Sequence, residues 1–159
     1  MIPGALLDFL EGRGSFAVAG TRDANLVPHV HYVSGWLVEP DRQTIRCLIN
    51  RAYLDGLFGS LEDNGQFCLT VEQIGTHETY QFKGMYVGSA DLTDADLAAH
   101  HRASQKFAKA LSLFVGYPEP VGRSFIRRPD VIVRFAVREV FVQTPGPVAG
   151  RRIFPSEEP

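Results

Sequence analysis

No run of apolar residues in this 159-residue chain approaches the roughly 18 needed to span a bilayer. The opening stretch, MIPGALLDFLEGRG, carries no cationic leader, and Asp8 and Glu11 interrupt its leucines. No secretory signal is expected from it. There are only two cysteines. Cys47 and Cys68 each sit in an apolar, strand-like run, so they read as small core residues rather than a disulfide or a redox pair. A reducing cytoplasm fits that usage. The formal net charge is only −2, with acids and bases interspersed, and no basic block marks a nucleic-acid footprint. Neither a nucleic acid nor a membrane is expected as a partner. The chain also lacks a GxGxxG fingerprint, a P-loop, a GxSxG elbow and an HExxH pair. A hydrolase would rest on nothing.

What is present is a succession of short strands. SFAVAGTR, LVPHVHYVSGWLV, TIRCLIN, QFCLTVEQI, TYQFKGMYVGSADL and DVIVRFAVREVFV each read as β. In the last, Val131, Val133, Phe135 and Val137 alternate with residues that include Arg134 and Arg138, the pattern of a half-buried strand. Three helices are expected. One follows Pro3, with Leu6, Leu7 and Leu10 on one face. A second is spaced by Leu54, Leu57, Phe58 and Leu61 and stopped by Asn64-Gly65. The third begins at Thr93, with Asp96 three residues on in a capping-box-like start. Leu97, Phe107, Leu111 and Phe114 are expected to pack it against the strands. Without a repeated βαβ alternation, a parallel sheet is unfavoured. The fold class expected is mostly β: a six-stranded antiparallel barrel with peripheral helices. One domain is expected over residues 1–152, followed by a flexible tail over 153–159.

Three polar stretches stand out. THETYQFKG places Gln81 and Lys83 on one strand face, opposite Tyr80, Phe82, Gly84 and Tyr86. That polar face is either a solvated edge or one side of a site. INRAYLDG puts Asn50 and Arg51 where a strand gives way to a helix, a position that favours an anion. PHVHYV sets His29 and His31 on one face. Two histidines two apart suit a metal only with a third ligand, and no spacing ties His77, His100 or His101 to them. Satisfied polar groups or contacts to a planar ligand remain as readings; no metal is expected.

The order NRAYLDGLFGSLEDNG, QFCLTVEQI, ETYQFKG and the closing VFVQTPGPVAG resembles the pyridoxamine 5′-phosphate oxidase-related, FMN-binding split-barrel family, over roughly residues 1–152. The resemblance implies a six-stranded antiparallel split β-barrel of the FMN-binding type that pairs into a homodimer, with FMN at the interface. It implies a phosphate region at Ile49, Asn50 and Arg51. It implies a flavin-lining strand with Thr79, Gln81 and Lys83, and a second strand whose His29 and His31 face the ring. The turn here offers Arg51 where members carry a basic pair, and histidines stand where members carry a basic residue on the second strand. The oxidase's own substrate motifs are not apparent. The function expected is a small FMN-dependent oxidoreductase of unknown substrate. The alternatives are a flavin or haem binder without turnover, or a cofactor-free dimer of the same fold.

Overall fold

The computed structural model describes residues 1–12, 14–53 and 56–155. The elements run α1 (Gly4–Leu10), β1 (Ser15–Arg22), β2 (Pro28–Tyr32), β3 (Gly35–Val38), β4 (Thr44–Ile49), a 3₁₀ turn (Arg51–Tyr53) and α2 (Leu57–Asn64). There follow β5 (Gln66–Gln73), β6 (Thr79–Ala90), α3 (Asp94–Val115), α4 (Glu119–Ser124), β7 (Val131–Val142) and β8 (Arg152–Phe154). Every strand pairing is antiparallel, in the order β2-β1-β5-β6-β7-β4-β3, with β8 added to β7.

The sheet therefore has eight strands rather than six. One extra strand comes from the stretch expected as a single strand from Leu26 to Val38, which breaks at Val33-Ser34. There the Val33 N–H donates to the Ala17 carbonyl of β1 (3.1 Å), and the Ser34 N–H donates to the Leu48 carbonyl of β4 (2.8 Å). Two residues thus bridge the two ends of the sheet and close it. The other extra strand is β8. Residues 153 and 154, expected in a flexible tail, pair with β7 through Phe154 and Val140; residues 156–159 lie outside the described residues.

The inward face of the closed sheet is mostly apolar, with Thr21 and His31 as polar exceptions on β1 and β2. Ala17 and Ala19 of β1, Ile45, Cys47 and Ile49 of β4, Leu69 and Val71 of β5, Phe82 of β6, and Val133, Phe135 and Val137 of β7 are all buried. Burial pushes the Cys47 thiol pKa far up, so it is an inert core group. Leu6, Phe9 and Leu10 of α1 and Leu57 and Leu61 of α2 plug this interior. Leu54, counted in the expected second helix, lies outside the described residues.

One irregularity bears on the site. Phe82 faces Val140 and Lys83 faces Glu139, but Gly84 faces Val137, so Arg138 is an extra residue in β7. Such a bulge turns two consecutive side chains, Arg138 and Glu139, against the single Lys83. Gly84 permits it: a Cβ there would run into the Ala136 carbonyl oxygen.

Helix α3 is held at its start by the expected capping box. Thr93 N–H and hydroxyl donate to Asp96 Oδ2 at 2.9 and 2.6 Å, and Asp96 N–H returns a bond to the Thr93 hydroxyl. Asp96 is fully buried and also receives Arg46 Nη2 of β4 at 2.7 Å. The helix packs through Phe107, Ala108, Ala110 and Leu111. Phe114, expected among the packing residues, is 59% exposed. Helix α4 was not expected, because Pro118, Pro120 and Gly122 read as irregular chain.

Candidate functional site

The outer face of the sheet is where polar and apolar side chains meet without cover. Alternation from the buried core residues puts Phe16, Val18 and Gly20 of β1 outward, beside Tyr32 and Val30 of β2. Across β1 the same face continues to Thr70 and Cys68 of β5, then to Gln81 and Lys83 of β6 and Phe141 of β7. Val30 is 67% and Tyr32 55% exposed. Together with Phe16 and Val18 they form a shallow apolar strip.

The strip leads into a 640 Å³ cleft that shares Val30 with it. A volume of this order suits a small ligand. Its floor is Gly20 and Cys68. A Cβ on Gly20 would stand 2.8 Å from Cys68 Sγ, so the glycine leaves the hollow. Its walls carry Arg22, His29, Lys83 and Arg138, with Glu139 the one acid among the described residues lining it. Glu139 is engaged by Arg152 at 3.1 Å. The cleft is therefore cationic. Thr21 also borders it, but its side chain follows Ala17 and Ala19 on the buried face of β1, where its hydroxyl has no hydrogen-bond partner among the described residues. Burial raises the Cys68 thiol pKa, against smaller lowering by the Gly20 N–H and the nearby Lys83. The thiol is not a nucleophile at neutral pH.

Local structure fixes these groups. Asp23 Oδ1 accepts from the N–H groups of Asn25 and Val27, both at 2.9 Å, which shapes the turn before β2. Those bonds, Val27 foremost, lower the Asp23 pKa against the smaller raising effect of burial. Asp23 Oδ2 then stands 3.7 Å from His29 Nε2. On its other side the His29 ring meets Gly56, whose positive φ of 83° starts α2. Lys83 Nζ lies 4.5 Å above the Phe141 ring, a cation–π contact.

The residues singled out in the sequence divide into two groups. His29 and Lys83 come together in the cleft. Gln81 shares the outer face, but its amide points to Thr70 Oγ1 (3.3 Å) and Cys68. Against expectation, His31 is turned inward and buried, and the exposed side of β2 is Val30 and Tyr32. Thr79 is also buried, its hydroxyl donating to the His77 carbonyl. The Ile49 side chain is wholly in the core. Asn50 is used locally, donating to the Arg128 carbonyl and accepting from the Ala52 N–H. Arg51 is exposed, and its N–H donates to Asp130, whose carboxylate also lies 4.0 Å from the guanidinium. It does not line the Lys83 cleft. Along β7 the partner of Ile49 is Val131 and that of Lys83 is Glu139, eight residues or about 26 Å of strand apart. The sequence reading missed Arg22 and Arg138. The signal for Arg138 was available: valine and phenylalanine hold the odd positions from Val131 to Val137, whereas Val140 and Val142 fall on even ones.

A closed antiparallel sheet with peripheral helices is the fold of the pyridoxamine 5′-phosphate oxidase-related, FMN-binding split barrels. Among solved structures, HupZ of group A Streptococcus matches with a TM-score of 0.55 at 19% identity, over 94% of this chain and 100% of that one. An F420 reductase matches at 0.52 with 11% identity, over 84% and 94% of the two chains. A pyridoxamine 5′-phosphate oxidase-related, FMN-binding protein of Nostoc punctiforme matches at 0.51 with 13% identity, over 88% and 83%. No protein-family model and no curated protein sequence matches the chain. At these identities the likeness is one of fold.

Proposed function

We propose that the chain binds FMN on the outer face of its sheet and works as a small flavin-dependent oxidoreductase, paired as a homodimer. The observation that carries this reading is the continuity of a cationic cleft with an apolar strip through Val30. A molecule with a dianionic phosphate at one end and a flat, largely apolar ring at the other matches both parts. The residues fit the phosphate. Lys83, Arg22 and Arg138 offer charge-assisted donors, and Gly20 leaves space for close approach. The ring would lie on Phe16, Val18, Val30 and Tyr32, near the Gln81 amide. The flavin, when bound, supplies the hydride chemistry; the chain's own groups bind and orient it. A second copy laid on the strip would cover Val30 and Tyr32 and exclude water from the ring. The FMN-binding relative from Nostoc punctiforme and the F420 reductase support the reading by sharing the fold.

The test is a titration of FMN and of riboflavin, which lacks the phosphate, into wild type and Lys83→Ala. FMN is expected to bind more tightly than riboflavin, and only FMN binding is expected to weaken in the variant. Equal affinity for the two flavins, or no flavin spectrum at all, removes FMN from the cleft. A Soret band in purified protein would point to haem instead. Light scattering of wild type and Tyr32→Asp tests the pairing: a dimer is expected to become a monomer, and a monomeric wild type at micromolar concentration overturns it.

A further inference from the structure

We propose that the helical unit formed by the end of α3 and by α4 docks on the surface of an anionic lipid bilayer. Two observations meet there. First, Leu113, Phe114, Val115, Tyr117, Val121 and Phe125 are all exposed, Leu113 to 72%. Scattered apolar residues on a surface mean little, but six within thirteen residues form a patch. Second, the surrounding chain is strongly basic. Between residues 97 and 129 lie six of the sixteen basic residues and one of the eighteen acids, Glu119. The segment is thus net positive in a chain that is net negative.

The patch is rigidly built. Gly122 of α4 sits against Ala108 of α3 so closely that a Cβ would stand 3.0 Å from its Cα. Tyr117 and Phe125 stack edge to face with ring centres 6.0 Å apart. The Phe114 ring is seated over Gly75. On α3, Arg102, Lys106, Lys109 and Leu113 follow one another at helical spacing, so a cationic stripe runs down to the apolar end. Apolar and aromatic side chains with a basic surround are what an interfacial site presents to lipid headgroups and the acyl boundary beneath them. A second copy of the chain suits this surface poorly, because two-fold pairing of the patch would set cations against cations. The docking is peripheral: no helix among the described residues is long and apolar enough to cross a membrane.

The experiment is co-sedimentation of the full chain with vesicles of phosphatidylcholine alone and of phosphatidylcholine mixed with phosphatidylglycerol. Binding is expected only to the anionic vesicles and is expected to fall as salt is raised. Lys109→Glu and the pair Leu113→Ser, Val115→Ser should each weaken it by about tenfold or more, with thermal unfolding unchanged because all three side chains are exposed. Equal binding to both vesicle types, or variants that bind like wild type, overturns the proposal. So does an absence of binding to either vesicle, the outcome expected of a patch that meets an acidic protein.

Discussion

Two groups of cations occupy this molecule, and they differ in what surrounds them. Arg22, Lys83 and Arg138 line a hollow floored by a glycine and a cysteine. Lys109 of α3 and Arg123 of α4, the latter paired with Glu119 at 3.4 Å, share their helices with exposed aromatic and aliphatic side chains. The charge is similar; the shape is opposite. A hollow desolvates a small anion and surrounds it with donors. An exposed apolar patch cannot do that, but it can enter a broad, soft surface. Charge counts alone therefore identify neither partner, and it is the glycine and the exposed rings that separate them.

The largest expected effect separates the two groups by their supports. Asp96→Ala removes the carboxylate that caps α3 and holds Arg46, leaving a half-buried guanidinium without its partner. Breaking such a pair costs about 3–5 kcal/mol. Urea unfolding is expected to show that loss. In the fraction that stays folded, vesicle binding should suffer more than FMN binding, since the cleft draws no residue from α3. Loss of both to the same degree would mean that the two regions are not independent.

Next comes a contrast between two cations that the sequence made equivalent. Lys83→Ala removes a charge-assisted donor, worth about 1.5–3 kcal/mol, or roughly a 10- to 150-fold loss of FMN affinity. Arg51→Ala is expected to change that affinity by less than about threefold, because Asp130 already engages Arg51 outside the cleft. A reversed order would put the phosphate at the 3₁₀ turn. Filling the floor by Gly20→Val should weaken FMN binding and leave vesicle binding as it was, which isothermal titration and co-sedimentation can compare in one preparation.

The smallest effect lies far from both regions and serves as their baseline. The Thr44 hydroxyl, and then the N–H groups of Thr44 and Gln43, hold the Asp41 pKa below its ordinary value. A depressed carboxylate contributes stability above its unfolded pKa and loses it as pH falls through the folded one. Asp41→Asn should therefore lower stability slightly at neutral pH, and the gap to wild type should close as the solution is acidified below about pH 4. A gap that widens in acid would contradict the sign.

Much of the fold was legible because its signals are local. β7 announced itself by alternation and α3 by Thr93 and Asp96. The break at Val33-Ser34 was not legible, since the carbonyls that receive those N–H groups belong to Ala17 and Leu48. The site was half legible. His29 and Lys83 stood out as polar groups on strands, and they do share a cleft. Arg51 looked equally suited, but Asp130, which engages it, lies 79 residues further on. His31 shares a strand face with His29, and what the sequence did not show is that this face, set by the pairing with Ala19 and Thr21, is the inner one.

The bulge opposite Lys83 makes β7 behave like a message with a frame. Upstream of it the core-facing positions are 131, 133, 135 and 137, with Ile132 buried on the other face; downstream they are 140 and 142. Deleting one residue at Arg138-Glu139 would restore regular pairing, but only by sliding one half of the strand against its neighbours on both sides. Either Val133, Phe135 and Val137 would leave the core, or Val140 and Val142 would. This stretch is thus closed to single insertions and deletions even though Arg138 itself is exposed. Variation here is confined to substitution, so the charge that walls the cleft can be exchanged, while the extra place that carries it cannot be dropped.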